Sequence, residues 1–355
     1  MAGMIFWRLF RTALAVWALA SGVFLLSHRH LNEALQIAQP EDALLRTDNG
    51  ISAQAAQRVA EAALRQRLGL DLPLFYVGRS PRLSEATPWQ WHGPRNQYHH
   101  WLRGVLQGHL GTSFRTGEAV TTRLGRALRF TLPLTGTAAA LAVLLALGLA
   151  QRLAAGPSWQ HPARGALVAL HALPLFVVAL ALLLLFANPE ILAWFPAYGL
   201  DQPDAAEMDF WGRWGTYGWH LALPVAALTL ATVPELTLQL EASLAHELRT
   251  HYATTARAKG LAEFAVIRHH ALRNALLPSL THLAELLPAL VAGAVVVEVV
   301  FAVPGMGRLL AEAAAARDYP VLVGGVLLIG AARLLALLMA DLLYSWADPR
   351  IRWQS

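Results

Sequence analysis

The sequence predicts an all-α polytopic membrane protein with six transmembrane helices. Of the 355 residues, 56% are apolar and only 14% are charged, whereas soluble globular domains carry about 25% charged residues. Three runs contain no Asp, Glu, Lys or Arg, and they are 130–151, 165–189 and 214–234. Crossing about 30 Å of hydrocarbon takes about 20 helical residues, so each run is long enough to span a membrane.

Hydropathy and charge predict six spans, at 5–27, 130–151, 165–188, 216–238, 279–303 and 321–344. Residues 1–27 would form an N-terminal transmembrane helix, followed by a long extracytoplasmic segment at 28–129. Residues 130–355 would form a five-helix core that includes a cytoplasmic loop at 241–278.

The first span predicts the orientation of the N terminus. Arg8 and Arg11 lie at its start, which places this end in the cytoplasm by the positive-inside rule. Ala18-Leu19-Ala20 resembles a cleavage site, so a cleaved signal peptide is the alternative. The apolar run continues through Leu26, further than most signal-peptide cores extend, which favours an uncleaved anchor.

The charges of the other loops predict which side of the membrane each loop lies on. The loop 152–164 and the stretch 241–275 carry an excess of basic residues, whereas the loop 189–215 holds five acidic residues and one arginine. The segment 28–129 carries 13 arginines, but loops longer than about 60 residues largely escape the rule. The sequence therefore predicts a multi-pass protein of the cell inner (cytoplasmic) membrane with both termini cytoplasmic.

Residue counts exclude several kinds of chemistry. The absence of cysteine rules out disulfides, thiol catalysis and Cys-ligated metal sites. The single lysine, Lys259, precedes Gly260, so the chain contains no Gly-Lys-Ser/Thr P-loop for ATP. The histidines His246 and His251 are five residues apart, one more than the zinc spacing on a helix requires. The net charge of +5 is explained by arginines at cytoplasmic helix ends, and we expect no nucleic-acid partner.

A patterned cytoplasmic stretch separates the fourth and fifth predicted spans. Residues 252–260, YATTARAKG, predict a short helix of small side chains that ends at a glycine turn. Residues 261–277 predict a second helix that leads to Pro278. A short helix held against the end of a span can transmit force from a cytoplasmic partner, and an ordinary surface helix is the alternative.

The stretch at 252–278, YATTARAKGLAEFAVIRHHALRNALLP, resembles the signature loop of ATP-binding-cassette (ABC) importer permeases. It is most similar to the first-permease form of the dipeptide/oligopeptide/nickel branch. The resemblance continues in LGLDLP at 68–73, GHLGTS at 108–113, GAVVVE at 293–298, VFAVPGMGRLL at 300–310, RDYP at 317–320, DLLY at 341–344 and DPRIR at 348–352.

This resemblance implies a permease subunit with the type I ABC importer fold and no cofactor of its own. The implied partners are a second homologous permease, two cytoplasmic ABC subunits that bind the ATP, an extracytoplasmic solute-binding protein and the lipid bilayer. No residue is expected to be catalytic. By position, the residues that form or adjoin the ATPase-coupling helix are Tyr252, Ala256, Arg257, Lys259 and Gly260.

The expected function is import of peptides or peptide-like solutes by alternating access. Nickel, a metal chelate or a peptide antibiotic is the alternative cargo within the family. An intramembrane enzyme is the alternative from another class, and it would need a convergent nucleophile–base set within the spans. The sequence contains no evident set of that kind.

One region departs from the family pattern. About 20 extra residues, within 75–96, separate Pro73 from Gln97. This insertion lies in the predicted extracytoplasmic segment, where a binding protein would dock. We hypothesise that it adjusts partner recognition or gates the entrance.

Charged residues within predicted spans cost a few kcal/mol and mark pathways or buried pairs. Arg333 and Asp341 both lie in the sixth span, and their separation of about 12 Å along a regular helix is too large for direct pairing. Arg333 is expected to line the solute path or to pair with a carboxylate. The candidates for that carboxylate are Glu235, Glu285 and Glu298.

Overall fold

The computed structural model describes residues 2–29, 72–78, 90–156, 158–197, 210–276 and 294–347. These residues are mostly helical, which confirms the predicted class. The helices are α1 (Ala2–Arg29), α2 (Gln97–Leu106), α3 (Val120–Ala154), α4 (Gln160–His171), α5 (Leu175–Phe186), α6 (Phe210–Glu247), α7 (His251–Ala258), α8 (Glu263–Val266), a π-helical turn (Ile267–Ala271), α9 (Met306–Ala315) and α10 (Tyr319–Ala347).

Three helical stretches are long and apolar enough to cross a membrane. They are Val120–Ala154, Gly215–Glu247 and Tyr319–Leu338, and they correspond to the second, fourth and sixth predicted spans. A shorter apolar stretch, Leu9–Leu25, lies within α1. The fifth predicted span falls largely outside the described residues, so the total of six helices stays a prediction.

The third predicted span differs from the expectation of one continuous helix. Residues 165–188 belong to two helices, α4 and α5, which are bent by 99° relative to each other. Pro174 lies at the bend and immediately precedes α5. Proline disfavours helical geometry in the residue before it and donates no backbone hydrogen bond, so α4 ends before it. The bent pair counts as a fourth span if it crosses as one unit.

The chain divides into two compact units. The first contains residues 126–311 together with both chain ends, and the second contains residues 13–125 and 312–328. Within the first unit, Ala138 of α3, Ala179 of α5 and Ala227 of α6 are fully buried in one apolar cluster. Their small side chains allow the helices to pack closely. The guanidinium of Arg164 on α4 also donates to the carboxylate of Glu241 on α6, from Nε at 2.9 Å to Oε1 and from Nη2 to the same oxygen.

The second unit is organised around a buried carboxylate. Asp318 accepts hydrogen bonds from the Ser113 hydroxyl, from the backbone N–H of Phe114 at 3.1 Å and from the Arg123 guanidinium at 3.0 Å. This arrangement joins two of the motifs that carry the family resemblance, GHLGTS and RDYP. The motifs are far apart in sequence, so the contact fixes the start of α10 against the loop that precedes α3.

The insertion begins and ends at neighbouring points of the second unit. The backbone N–H of Gln97 donates to the carbonyl of Pro73 at 3.0 Å. Between them, β1 (Val77–Gly78) and β2 (Gln90–Trp91) form a two-stranded antiparallel ribbon, with Val77 opposite Trp91. Hydrogen bonds therefore connect the two ends of the insertion, and residues 79–89 lie outside the described part of the chain.

Candidate coupling site

The predicted short helix is confirmed as α7, which runs from His251 to Ala258. Its N-cap residue is Thr250, whose hydroxyl donates to the carbonyl of Glu247 at 2.6 Å. After the helix, Gly260 adopts φ +82°, in the left-handed region that glycine enters without steric cost. The chain therefore turns at the glycine that the sequence predicts.

One face of α7 is buried against its neighbours. Ala253 and Ala256, three residues apart, are 0% and 5% exposed, and residues three apart share a helix face. They belong to one apolar cluster with Leu244 at the end of α6 and with Val266 and Ile267 beyond the turn. Because these alanines have short side chains, α7 packs closely on this surface. Ala256 thus anchors the helix.

Arg257 connects the residues before and after the Gly260 turn by hydrogen bonds. Its guanidinium donates to the carboxylate of Glu263 from Nε at 2.9 Å and from Nη2 at 2.6 Å. Its Nη1 donates to the carbonyl of Leu248 at 2.9 Å. The paired hydrogen bonds to Arg257 hold the pKa of Glu263 below its usual value. One side chain therefore ties α7 to α8 and to the chain that leaves α6.

Tyr252 provides a second connection. Its hydroxyl donates to the carboxylate of Glu247 and accepts a hydrogen bond from Asn274 Nδ2 at 3.1 Å. Burial is the main cause that raises the pKa of Tyr252, and the bond to Glu247 adds to it. Hydrogen bonds thus join four residue pairs within the segment 247–274, which we call the coupling segment.

The opposite face of the coupling segment is exposed. Lys259 and Gly260 are exposed, as are the side chains of Leu261 (41%) and Phe264 (50%). The exposed part of the segment thus contains two apolar side chains and one cation. The five predicted residues therefore divide into Tyr252, Ala256 and Arg257, which hold the segment, and Lys259 and Gly260, which face outward.

Sequence reasoning missed the residues that complete this site. Glu263 and Asn274 were not singled out, nor were the exposed Leu261 and Phe264. A signal exists for one of them, because Arg257 and Glu263 are opposite charges placed on either side of a glycine turn. Asn274 carries no such signal, since only the folded chain brings it to Tyr252.

The three residues predicted to act within the membrane, Glu298, Arg333 and Asp341, are not brought together by any contact among the described residues. Glu298 is fully buried, and its carboxylate accepts from the Thr131 hydroxyl at 2.6 Å and from the backbone N–H of Arg308 at 3.0 Å. Arg333 is exposed, and the side chain of Asp341 lies outside the described residues. Among the residues described, no group of three His, Asp or Glu side chains could hold a metal ion.

The described residues are those of a helical protein with at least three helices long and apolar enough to cross a membrane. Residues 138–353 match the family described as the binding-protein-dependent transport system inner membrane component. The match covers more than half of the chain, and the chain belongs to this family.

Individual relatives agree with this membership. The glutathione transport system permease protein GsiC of Pectobacterium atrosepticum is 35% identical over 312 residues, covering 84% of this chain and 88% of that protein. The di/tripeptide transport system permease protein DppB of Pseudomonas aeruginosa is 34% identical, covering 81% and 84% respectively. The peptidoglycan transport system permease protein YejB of Agrobacterium fabrum is 32% identical, covering 60% of this chain and 58% of that protein.

The family defines the general role of the chain. It is a membrane-spanning permease subunit of a binding-protein-dependent importer in the inner membrane. Its role is transport rather than enzymatic catalysis.

Proposed function

We propose that this chain is the first of two permease subunits in an importer of peptides or peptide-like solutes. The named cargo of similar permeases, glutathione in one case and di- and tripeptides in another, supports this cargo class. The remaining parts would be a homologous permease, two ABC subunits that bind the ATP and an extracytoplasmic binding protein. In this proposal the chain has six spans, the type I importer fold and both termini in the cytoplasm.

The observation that carries the proposal is the set of side-chain contacts within the coupling segment. Arg257, Tyr252 and the buried alanines bind α7 to the end of α6, and α6 is a helix of 38 residues. Closure of the ATPase pair would displace α7. The displacement would pass to α6 because Tyr252 and Arg257 bond to residues at the end of that helix. The equilibrium between the inward-open and outward-open states of the spans would then depend on the nucleotide bound to the ABC subunits.

The cargo can be tested with the cognate binding protein. We expect the purified protein to retain peptides, which mass spectrometry of its denatured eluate would identify. Peptide-free protein that retains a metal ion or a metal chelate would contradict the proposed cargo class. The permease role would be unaffected by that result, because the binding protein sets much of the selectivity in such systems.

The insertion is proposed to act in partner recognition. Because Gly78 pairs with Gln90, residues 79–89 can be replaced by Asn-Gly, the pair that two-residue hairpins prefer. We expect solute uptake to fall severalfold while the ABC subunits still co-purify with the chain. Binding-protein affinity for the complex should fall in parallel, measured by titration onto complexes in nanodiscs. Unchanged uptake and affinity would show that the insertion has neither proposed role.

Arg333 is proposed to contribute within the assembled transporter. Its exposure on α10 leaves it available to a carboxylate on the partner permease or to the solute path. A guanidinium facing lipid would cost a few kcal/mol, which favours a position away from lipid in the complex.

A further inference from the structure

The buried carboxylate of Glu298 lies at the centre of a hydrogen-bonded arrangement that the coupling segment does not include. Thr131 on α3 donates to Oε1 at 2.6 Å, and the backbone N–H of Arg308 donates to Oε2 at 3.0 Å. Burial of an ionisable group is costly unless its oxygens are hydrogen-bonded. These two bonds therefore fix where the carboxylate can lie.

Thr131 extends the arrangement to a turn. Its hydroxyl oxygen also accepts from the backbone N–H of Met306 at 2.7 Å. A hydroxyl can donate once and accept at the same time, so this single group connects Glu298 to the start of α9. The result is a closed network of α3, the helical residues 294–300 and the turn at 301–308.

The turn is fitted closely around the carboxylate. A Cβ atom at Gly305 would overlap the Glu298 carboxylate, and one at Gly307 would overlap the backbone of Val295. Ala302 has φ +53°, a conformation that residues other than glycine rarely adopt. The Arg308 guanidinium donates to the Ala302 carbonyl at 2.7 Å and helps to hold it. The turn thus depends on side-chain support to keep this shape.

We propose that Glu298 is a positioning residue for transport. Through the Glu298 node (Glu298, Thr131, Gly305, Met306 and Arg308), it joins the ends of the second and fifth predicted spans into one rigid unit. This inference rests on the proposed alternating-access function. A force applied to the cytoplasmic ends of the spans opens the extracytoplasmic side only if the extracytoplasmic ends of the spans move together. If the hydrogen bonds of the node are lost, the ABC subunits would still hydrolyse ATP but little solute would be transported.

The test uses the reconstituted importer and measures solute imported per ATP hydrolysed. Thr131→Val and Glu298→Gln should each lower this ratio about tenfold in assembled complexes, because each leaves buried polar groups without partners. Binding-protein-stimulated ATP hydrolysis should stay close to that of the unmodified importer. Thr137→Val is the matched control, because Thr137 lies on the same helix, is exposed and bonds only to backbone carbonyls of its own helix.

A disulfide across the node tests the connection itself, because oxidation and reduction are applied to the same assembled complexes. The chain contains no cysteine, and Met306 N lies 2.7 Å from Thr131 Oγ1, so these two positions are the ones to replace by a cysteine pair. In Glu298→Gln with Thr131→Cys and Met306→Cys, oxidation should raise the ratio and reduction should lower it again. An unchanged ratio in Glu298→Gln, or an unchanged ratio after mass spectrometry shows that the disulfide has formed, would overturn the proposal. Failure of the unmodified importer to move solute would instead contradict the proposed function.

Discussion

We expect Gly260→Val to reduce ATP-driven uptake about tenfold or more, because a left-handed conformation costs residues with a side chain about 1–2 kcal/mol and β-branched residues more. A Cβ atom at this position would meet nothing within 4 Å, so the effect would come from the backbone rather than from a clash. A changed turn would move Glu263 away from Arg257 and displace the exposed Leu261. Uptake and the yield of co-purified ABC subunits are the measurements.

Gly156→Val is the matched control for this prediction. Gly156 also has a positive φ, +73°, and also has open space around a Cβ atom. It follows the end of α3, outside the coupling segment. We expect Gly156→Val to lower uptake much less than Gly260→Val at equal protein yield. Equal losses in the two variants would show that general strain, and not the coupling turn, explains the effect.

Arg257→Glu should produce the second large effect. The variant places two carboxylates against each other across the turn and removes the donor to the Leu248 carbonyl. The ion pair itself is partly exposed, with 38% and 40% of the two side chains accessible, and such pairs contribute at most about 1 kcal/mol. Repulsion and the lost backbone contact add to this, so we expect uptake to fall about tenfold.

The charge-swapped variant tests the cause. Arg257→Glu combined with Glu263→Arg keeps the net charge of the chain and restores opposite charges across the turn. We expect it to recover a large part of the uptake and of the ABC subunit binding lost in Arg257→Glu. The bond to Leu248 would stay broken, so recovery should be incomplete. A double variant as inactive as the single one would show that the ion pair across the turn is not what uptake requires of Arg257.

The features that the sequence predicts well depend on local signals. Long apolar runs predict α3, α6 and α10, because side chains that face the bilayer must be apolar over a fixed length. The short α7 and its turn follow from small residues that end at Gly260. Hydropathy did not predict the bend before α5, because Pro174 does not make the segment more polar. Proline interrupts the helical hydrogen bonds of the backbone, and hydropathy does not report these.

The details of the sites depend on contacts between distant residues. The position of Ala256 within the motif suggests docking, yet its side chain is buried in the apolar cluster that contains Leu244, Val266 and Ile267. Glu298 was considered as a partner for Arg333, whereas its described hydrogen bonds go to Thr131 and to the backbone of Arg308. Thr131 is 167 residues away in sequence, so no local pattern could have indicated this contact. Pairing of Arg333 with any carboxylate stays a prediction.

The most direct test of the central claim is solute uptake into proteoliposomes that contain ATP. The chain would be reconstituted with its partner permease and supplied with the binding protein, either with or without the two ABC subunits. We predict uptake only when the ABC subunits are present, with loss of both uptake and their retention in Gly260→Val. Concentrative uptake by the permeases without the ABC subunits would contradict the claim that this chain is a gate driven through its coupling segment.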